Sequence, residues 1–415
     1  MQRGRRKRKI TMQSVTKNMH IRKLEPSDLE QYNDLLRYAF QVTEKTLLEC
    51  GWEDDDIRQS KFPVLERANV LGWFDGGRLV SQIAVYPMRM NIHGSARDMG
   101  FITSVATYPE YTGMGLMSSL MKRCLDEMCG LGQSISLLYP YSIPLYRHKG
   151  WELVSDKMAF RVKDHQLPRK LSVPGYVRRV AHNSIDLIRL HGRFARKTHG
   201  CIFRNDLAWD EYWRWDVDDT MVAIYYTSDG EPSGYMVYLI KDEIMHVKEM
   251  VYMDIEAWKG LWKYIGAHES MIYEVSGSNY SNEPIAFWLE DSDIKETVRP
   301  YIMGRIVDAQ QFLAHYNFTK GCEGAEFTFI VDDPMLDINS RPFTLKLDGR
   351  GRAELHGHVS QAKASLSIGT LTSMLLGYKR PSYLRSMERL SADDETIKLL
   401  ESAIPNDKAY ISDYI

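Results

Sequence analysis

The stretch VATYPEYTGMGLMSSLM, residues 105–121, decides how this chain is read. An apolar run ends at Thr107, Pro109 interrupts any strand ladder, and Gly113 and Gly115 sit just before a run with helical periodicity. Glycines at such a turn let the backbone approach a ligand closely. The unsatisfied N–H groups of the following helix's first turn, at its positive dipole end, suit a pyrophosphate. The plain alternative is a tight strand-to-helix turn. A dinucleotide fingerprint would follow the first strand of a parallel βαβ unit, and a Walker loop needs Gly-Lys-Ser or Gly-Lys-Thr. Neither pattern is present here.

Working outward, the residues before this loop read as an antiparallel meander: ANVLGWF, RLVSQIAVYP, MRMNIH and GFITSVATYP, with turn glycines Gly76, Gly77 and Gly94. Upstream, HIRKLEPSDLEQYNDLLRYAF runs from strand to helix, with Ser27 and Glu30 spaced as a capping box. Downstream, Leu116, Met117, Leu120, Met121, Cys124, Leu125 and Met128 form an apolar stripe. A short strand (135–139), a short helix around Tyr146 and a stop at Gly150 follow. From about residue 165 the same hydrophobic plan repeats without its glycines. After Arg305 the pattern changes to strands followed by helices. The fold class is α+β, with expected boundaries of 1–18 (basic tail), 19–163, 164–298 and 299–415.

The 415 residues suit two to three domains, at about 150 residues each. Hydrophobic residues make up 44% and charged residues 26%, which excludes disordered and collagen-like classes. With 53 basic against 55 acidic side chains, the net charge of −2 gives no global attraction for nucleic acid or anionic lipid. No window approaches the roughly 18 apolar residues of a membrane span, and no apolar segment follows the basic start. The expectation is a cytoplasmic protein without nucleic-acid or membrane partners, its MQRGRRKRK segment a solvated tail. Five sparse cysteines without paired spacing read as reduced, mostly buried thiols, with no metal site.

Residues 100–152 resemble the core of the GNAT acetyltransferases. Together with YRHKGW (146–151), MGRIVD (303–308) and the terminal α+β segment, they are similar to the Eis family. That resemblance implies two GNAT-like mixed-sheet domains followed by a sterol-carrier-protein-like domain, and acetyl-CoA as co-substrate. It implies N-acetylation of primary amines on small polyamino molecules, aminoglycosides included. It implies a homo-oligomer, a hexamer built from trimers, although no residue here derives the number. Val105 and Thr107 would offer backbone to the pantetheine arm, with Ala106 in the same cofactor-binding stretch, and Gly113, Met114, Gly115 and Leu116 would meet the pyrophosphate. Tyr146 would be the general acid and the α-carboxylate of Ile415 the general base. Relatives usually open the loop with Arg or Gln. Here Thr112 removes a charge-assisted phosphate contact while the backbone cradle survives.

The alternatives stand beside these assignments. Tyr146 could simply pack a helix against the core, and a chain end such as Ile415 is commonly frayed. The acidic run Glu53, Asp54, Asp55 and Asp56 could attract a polycationic substrate or be a solvated loop. In the second repeat, Asp254 and Glu256 stand where phosphates would sit, so that repeat should not bind coenzyme A. Its expected task is to wall the acceptor pocket. From another class, the chain could be a catalytically weak binding or regulatory protein on the same fold.

Overall fold

The computed structural model describes residues 19–49, 52–53, 56, 59–214, 219–281 and 283–415; the basic tail, Cys50, Asp54 and Asp55 lie outside them. The chain divides into two compact units, one of residues 1–86 and 102–124, the other of residues 87–101 and 125–415.

In the first unit, strands β1 (Met19–Lys23), β2 (Asn69–Asp75), β3 (Arg78–Ile92) and β4 (Ser95–Thr107) follow one another as a meander. The long β3 and β4 continue along the chain into the second unit. Asp75 pairs with Arg78 around Gly76 and Gly77, whose φ values of 57° and 90° suit the tight hairpin turn. Leu116, Leu120, Met121 and Cys124 bury the expected stripe of the Leu116–Gly130 helix. The expected Ser27/Glu30 capping box is corrected. The reciprocal pair is Glu25 and Asp28, because a turn of 3₁₀ helix at Pro26–Asp28 precedes the helix Leu29–Phe40.

In the second unit, β5 (Ile135–Leu138) and β6 (Glu152–Leu153) both pair antiparallel with β15 (Met303–Ile306). Next comes a seven-stranded sheet made of β7 (Asp156–Lys163), β8 (Tyr176–Val180), β10 (Met221–Tyr226), β11 (Pro232–Lys241), β12 (Ile244–Tyr252), β13 (Glu274–Asn279) and β14 (Lys295–Pro300). Its order is β14-β7-β13-β12-β11-β10-β8, and β12 and β13 are its parallel pair. Trp258, Leu261 and Trp262 of the helix Ile255–Gly266 cluster on one face with Phe160, Tyr225 and Met236. Leu187 and Leu190 of the helix Ile185–Lys197 cover Val222 and Ile224 on the other, and the short β9 (Ile202–Phe203) after that helix pairs antiparallel with Met90 and Arg89. The terminal sheet has five strands, with Glu326–Asp332 and Lys363–Ser367 parallel at its centre.

The sheets cut across the boundaries expected from sequence. A break at 163 puts β7 with the first domain, but β7 belongs to the seven-stranded sheet, since Met158, Phe160 and Val162 alternate into its core and Phe160 lies 6.2 Å from Trp262. Similarly β15, expected in the third domain, completes the β5–β6 strip. Among the described residues no helix is long and apolar enough to cross a membrane.

Candidate active site

Gly113 and Gly115 hold φ values of 82° and 79°, and a Cβ built on either would meet nothing within 4 Å. Left-handed backbone at alternate residues turns successive amides toward one side, which makes a small anion-binding concavity. The first backbone bond of the following helix is Ser119 N to Gly115 O at 3.1 Å, and among the described residues the amides of Gly113, Met114 and Gly115 have no partner. Open space in front of unpartnered donors fits a pyrophosphate group. Trp73 on β2 fixes the helix start, donating from Nε1 to Ser119 Oγ at 2.8 Å and to Leu116 O at 3.2 Å.

The strand leading into the loop is locally distorted. Ser104 has φ 55°, an uncommon value for a residue with a side chain, and Tyr32 donates to its Oγ at 2.8 Å. Immediately after this kink, Val105 and Thr107 are half-buried. Ala106 is buried and its carbonyl already accepts from Ser81 at 3.2 Å. Val105 and Thr107 could therefore contact a ligand more readily than Ala106. All eight expected cofactor residues belong to the first unit, on the end of β4 and the turn into the following helix.

Tyr146 and Ile415 belong to the second unit. Tyr146 lies on the short helix Ile143–Arg147, its ring set edge-on to Trp151 at 6.4 Å, and burial pushes its phenol up to about 12. Among the described residues its hydroxyl has no hydrogen-bond partner. The segment that carries Ile415 is pinned rather than frayed. Ala409, Ile411, Ser412 and Asp413 are buried, and Tyr410 N donates to His199 O at 2.8 Å. Arg204 donates to Asp413 at 2.6 Å and, through both terminal nitrogens, to Glu249 at 3.0 and 2.8 Å. Ser412 Oγ donates to Glu249 at 2.9 Å, and Tyr301 Oη donates to the carbonyls of Ser412 and Asp413. Burial alone would raise the Glu249 carboxyl, but the Arg204 charge and its hydrogen bonds hold it down at about 2. Tyr414 meets Tyr139 edge-on at 4.9 Å, at the end of β5 and on the loop leading to the Tyr146 helix.

Residues 20–154 match one acetyltransferase (GNAT) domain, residues 200–306 match a second, and residues 309–412 match a sterol carrier protein domain. The chain belongs to the GNAT acetyltransferases. This GNAT chain is similar to a protein of unknown function from Enterococcus faecalis described as a probable N-acyltransferase, at 27% identity and a TM-score of 0.87 over 96% of this chain and all of that one. It shares the fold of Eis1 from Mycobacterium abscessus, with 18% identity and a TM-score of 0.80 over 96% of this chain and all of that one. It is also 20% identical over 79% of its length to an uncharacterized N-acetyltransferase from Streptomyces avermitilis, covering 83% of that protein.

The second GNAT domain differs from the first where a phosphate would sit. Asp254 caps its helix, accepting from Ala257 N at 2.8 Å and from Ser233 Oγ at 2.7 Å, and Glu256 accepts from Tyr225 at 2.7 Å. The helix's free donors already face a carboxylate. Of the residues that order the site in this GNAT chain, Trp73, Ser104 and Arg204 escaped the sequence reading. Arg204 had one available signal, an isolated arginine in a stretch rich in tryptophan and tyrosine.

Proposed function

We propose that this GNAT chain transfers an acetyl group from acetyl-CoA to a primary amine of a small molecule. One observation carries the reading: the unpartnered amides of Gly113, Met114 and Gly115, held by two left-handed glycines at the head of an amphipathic helix. Gly113, Met114, Gly115 and Leu116 hold the pyrophosphate. Val105 and Thr107 orient the pantetheine arm, and Thr112 contributes no charge. Acetyl-CoA, when bound, supplies the thioester.

Tyr146 holds the proton that the departing sulfur needs. With its phenol at about 12 against a thiol reference near 8.5, complete transfer is uphill by about 5 kcal/mol. Tyr146 therefore acts through a hydrogen bond to developing charge. The Ile415 α-carboxylate, with a reference pKa of about 3.5, is too weak to strip an ammonium directly and takes its proton through water. Arg204, Glu249 and Tyr301 act as positioning residues for it, through Ser412 and Asp413.

Polyamino acceptors such as aminoglycosides are what the resemblance suggests, and they belong in the first panel. We further propose cytosolic action as a homo-oligomer; light scattering that gave a 48.1 kDa particle would overturn the assembly. The test of the reaction is mass spectrometry of an amine panel incubated with acetyl-CoA. An acetylated amine supports the reading. Calorimetric binding of acetyl-CoA without any product would replace it with a binding or regulatory role.

A further inference from the structure

We propose that one face of the seven-stranded sheet is an anion subsite for the acceptor, so that the amine accepted by this enzyme also carries a carboxylate or phosphate. The proposal rests on the amine-acetylation reading above and names its substrate class.

The register of β7 against β14 places Lys157 opposite Arg299 and Arg161 opposite Lys295, with Ala159 opposite Thr297 between them. Side chains at alternate positions share a face, so four cations form two like-charge rungs on one side of the ribbon. Like charges directly opposite each other destabilise a sheet. An anionic ligand laid across the rungs would relieve that repulsion.

That face lines a cavity of about 1050 Å³, and the same cavity is lined by Ser412 and Tyr414, next to Ile415. On β13, Ser276 stands opposite Arg161 and Ser278 opposite Ala159, and both residues also line the cavity, the Ser276 hydroxyl lying 2.9 Å from His246 Nδ1. The floor thus combines guanidinium, ammonium and hydroxyl donors, the chemistry that recognises a carboxylate or phosphate. Lys157 sits 5.8 and 5.7 Å over the rings of Tyr280 and Tyr301, and burial lowers its pKa.

Two carboxylates around the cavity are committed to other cations, and a third, Glu274, partly neutralises one ladder arginine. Glu249 is held by Arg204 and Glu211 by Arg214 at 2.7 Å. Glu274 reaches Arg161 at 3.3 Å, with 61% of the arginine side chain still exposed. Among the described residues, no carboxylate is ion-paired with Lys157, Lys295 or Arg299. A polycation entering this cavity meets like charge; an amine with an anionic tail places the tail on the ladder and leaves its amino group for the terminal carboxylate.

The experiment compares matched amines on the full chain at low salt: phosphoethanolamine against ethanolamine, and 4-aminobutyrate against butylamine, with inorganic phosphate alone as a further probe. The wild type should favour at least one anionic member by about tenfold or more in kcat/KM, and the phosphate and carboxylate arms tell which anion is preferred. In Lys295→Gln/Arg299→Gln that ratio should collapse toward one while the melting temperature stays level or rises, since repulsion is relieved. Equal kcat/KM within both pairs, a ratio unchanged in the double variant, or inorganic phosphate bound as tightly as either anionic amine would overturn the proposal. Should no amine be acetylated, the amine-acetylation reading falls, and calorimetry still decides the subsite. Heat with phosphoethanolamine that vanishes in the double variant supports it, and no heat in the wild type overturns it.

Discussion

Arg204 donates from Nε to Oδ1 of Asp413 at 2.6 Å, both side chains buried, and thereby fixes the main chain two residues before Ile415. Replacing Arg204 with Met leaves Glu249 and Asp413 buried without their cation. The expected loss is about 3–5 kcal/mol, the scale for breaking one partner of a buried pair. Denaturant unfolding of Arg204→Met measures it, and an unchanged midpoint would remove Arg204 from this role.

The terminal carboxylate predicts a separation of turnover from cofactor binding. A short extension after Ile415 converts its carboxylate into a neutral amide, and deletion of Tyr414 and Ile415 also removes the contact with Tyr139. Both should lower kcat by about 10²-fold, the scale of general acid–base groups, while acetyl-CoA affinity stays near wild type. A fully active extended protein would return the proton to a side chain or to water.

Gly115→Asp tests the cradle. Its Cβ enters open space, so no clash is expected, but φ 79° costs roughly 1–2 kcal/mol for a residue with a side chain, and a carboxylate then faces the phosphates. Calorimetry should find acetyl-CoA binding abolished in a folded protein. Retained affinity would place the pyrophosphate elsewhere.

Tyr146→Phe should reduce kcat by about 10²-fold. Because burial holds the wild-type phenol at about 12, Tyr146 stays protonated throughout the range from pH 6 to 9. The wild-type rate should therefore show no basic limb from this group in that range. A fall in kcat centred near pH 10, absent in the Phe variant, would contradict the buried environment.

Acid should weaken the fold over two overlapping pH windows. Burial, helped by the neighbouring Arg204 and His93 charges, pushes His191 down to about 4 and His199 down to about 3. Unfolded, both bind protons near 6.5, so the unfolded state holds more protons below that pH and stability falls as pH drops. The slope is about 1.4 kcal/mol per pH unit for each histidine. Glu249 adds the second window, its contribution intact above about 4.3 and lost as pH falls toward about 2. Urea midpoints between pH 7 and 5 should show a slope that His199→Gln cuts by about half.

Local signals carried much of this architecture. Gly113 and Gly115 ahead of Leu116, Leu120 and Met121 announce a strand-to-helix turn with left-handed glycines and an amphipathic helix behind it, since turn chemistry and helical period are written within one stretch of chain. Long-range relationships were not legible. Arg204 meets Asp413 across 209 residues, and the rungs of Lys157 with Arg299 and Arg161 with Lys295 exist only through strand register. β7 was misplaced for the same reason: alternation shows that Met158, Phe160 and Val162 face a core, but not which core.

Asp254 has a numerical consequence. This protein contains the GNAT architecture twice, yet in one copy a carboxylate that the chain itself supplies already caps the helix where a phosphate would sit. Duplication is therefore not expected to double capacity. A titration with coenzyme A should saturate at one equivalent per polypeptide, and two equivalents would show that the carboxylate at the second helix does not keep phosphate out.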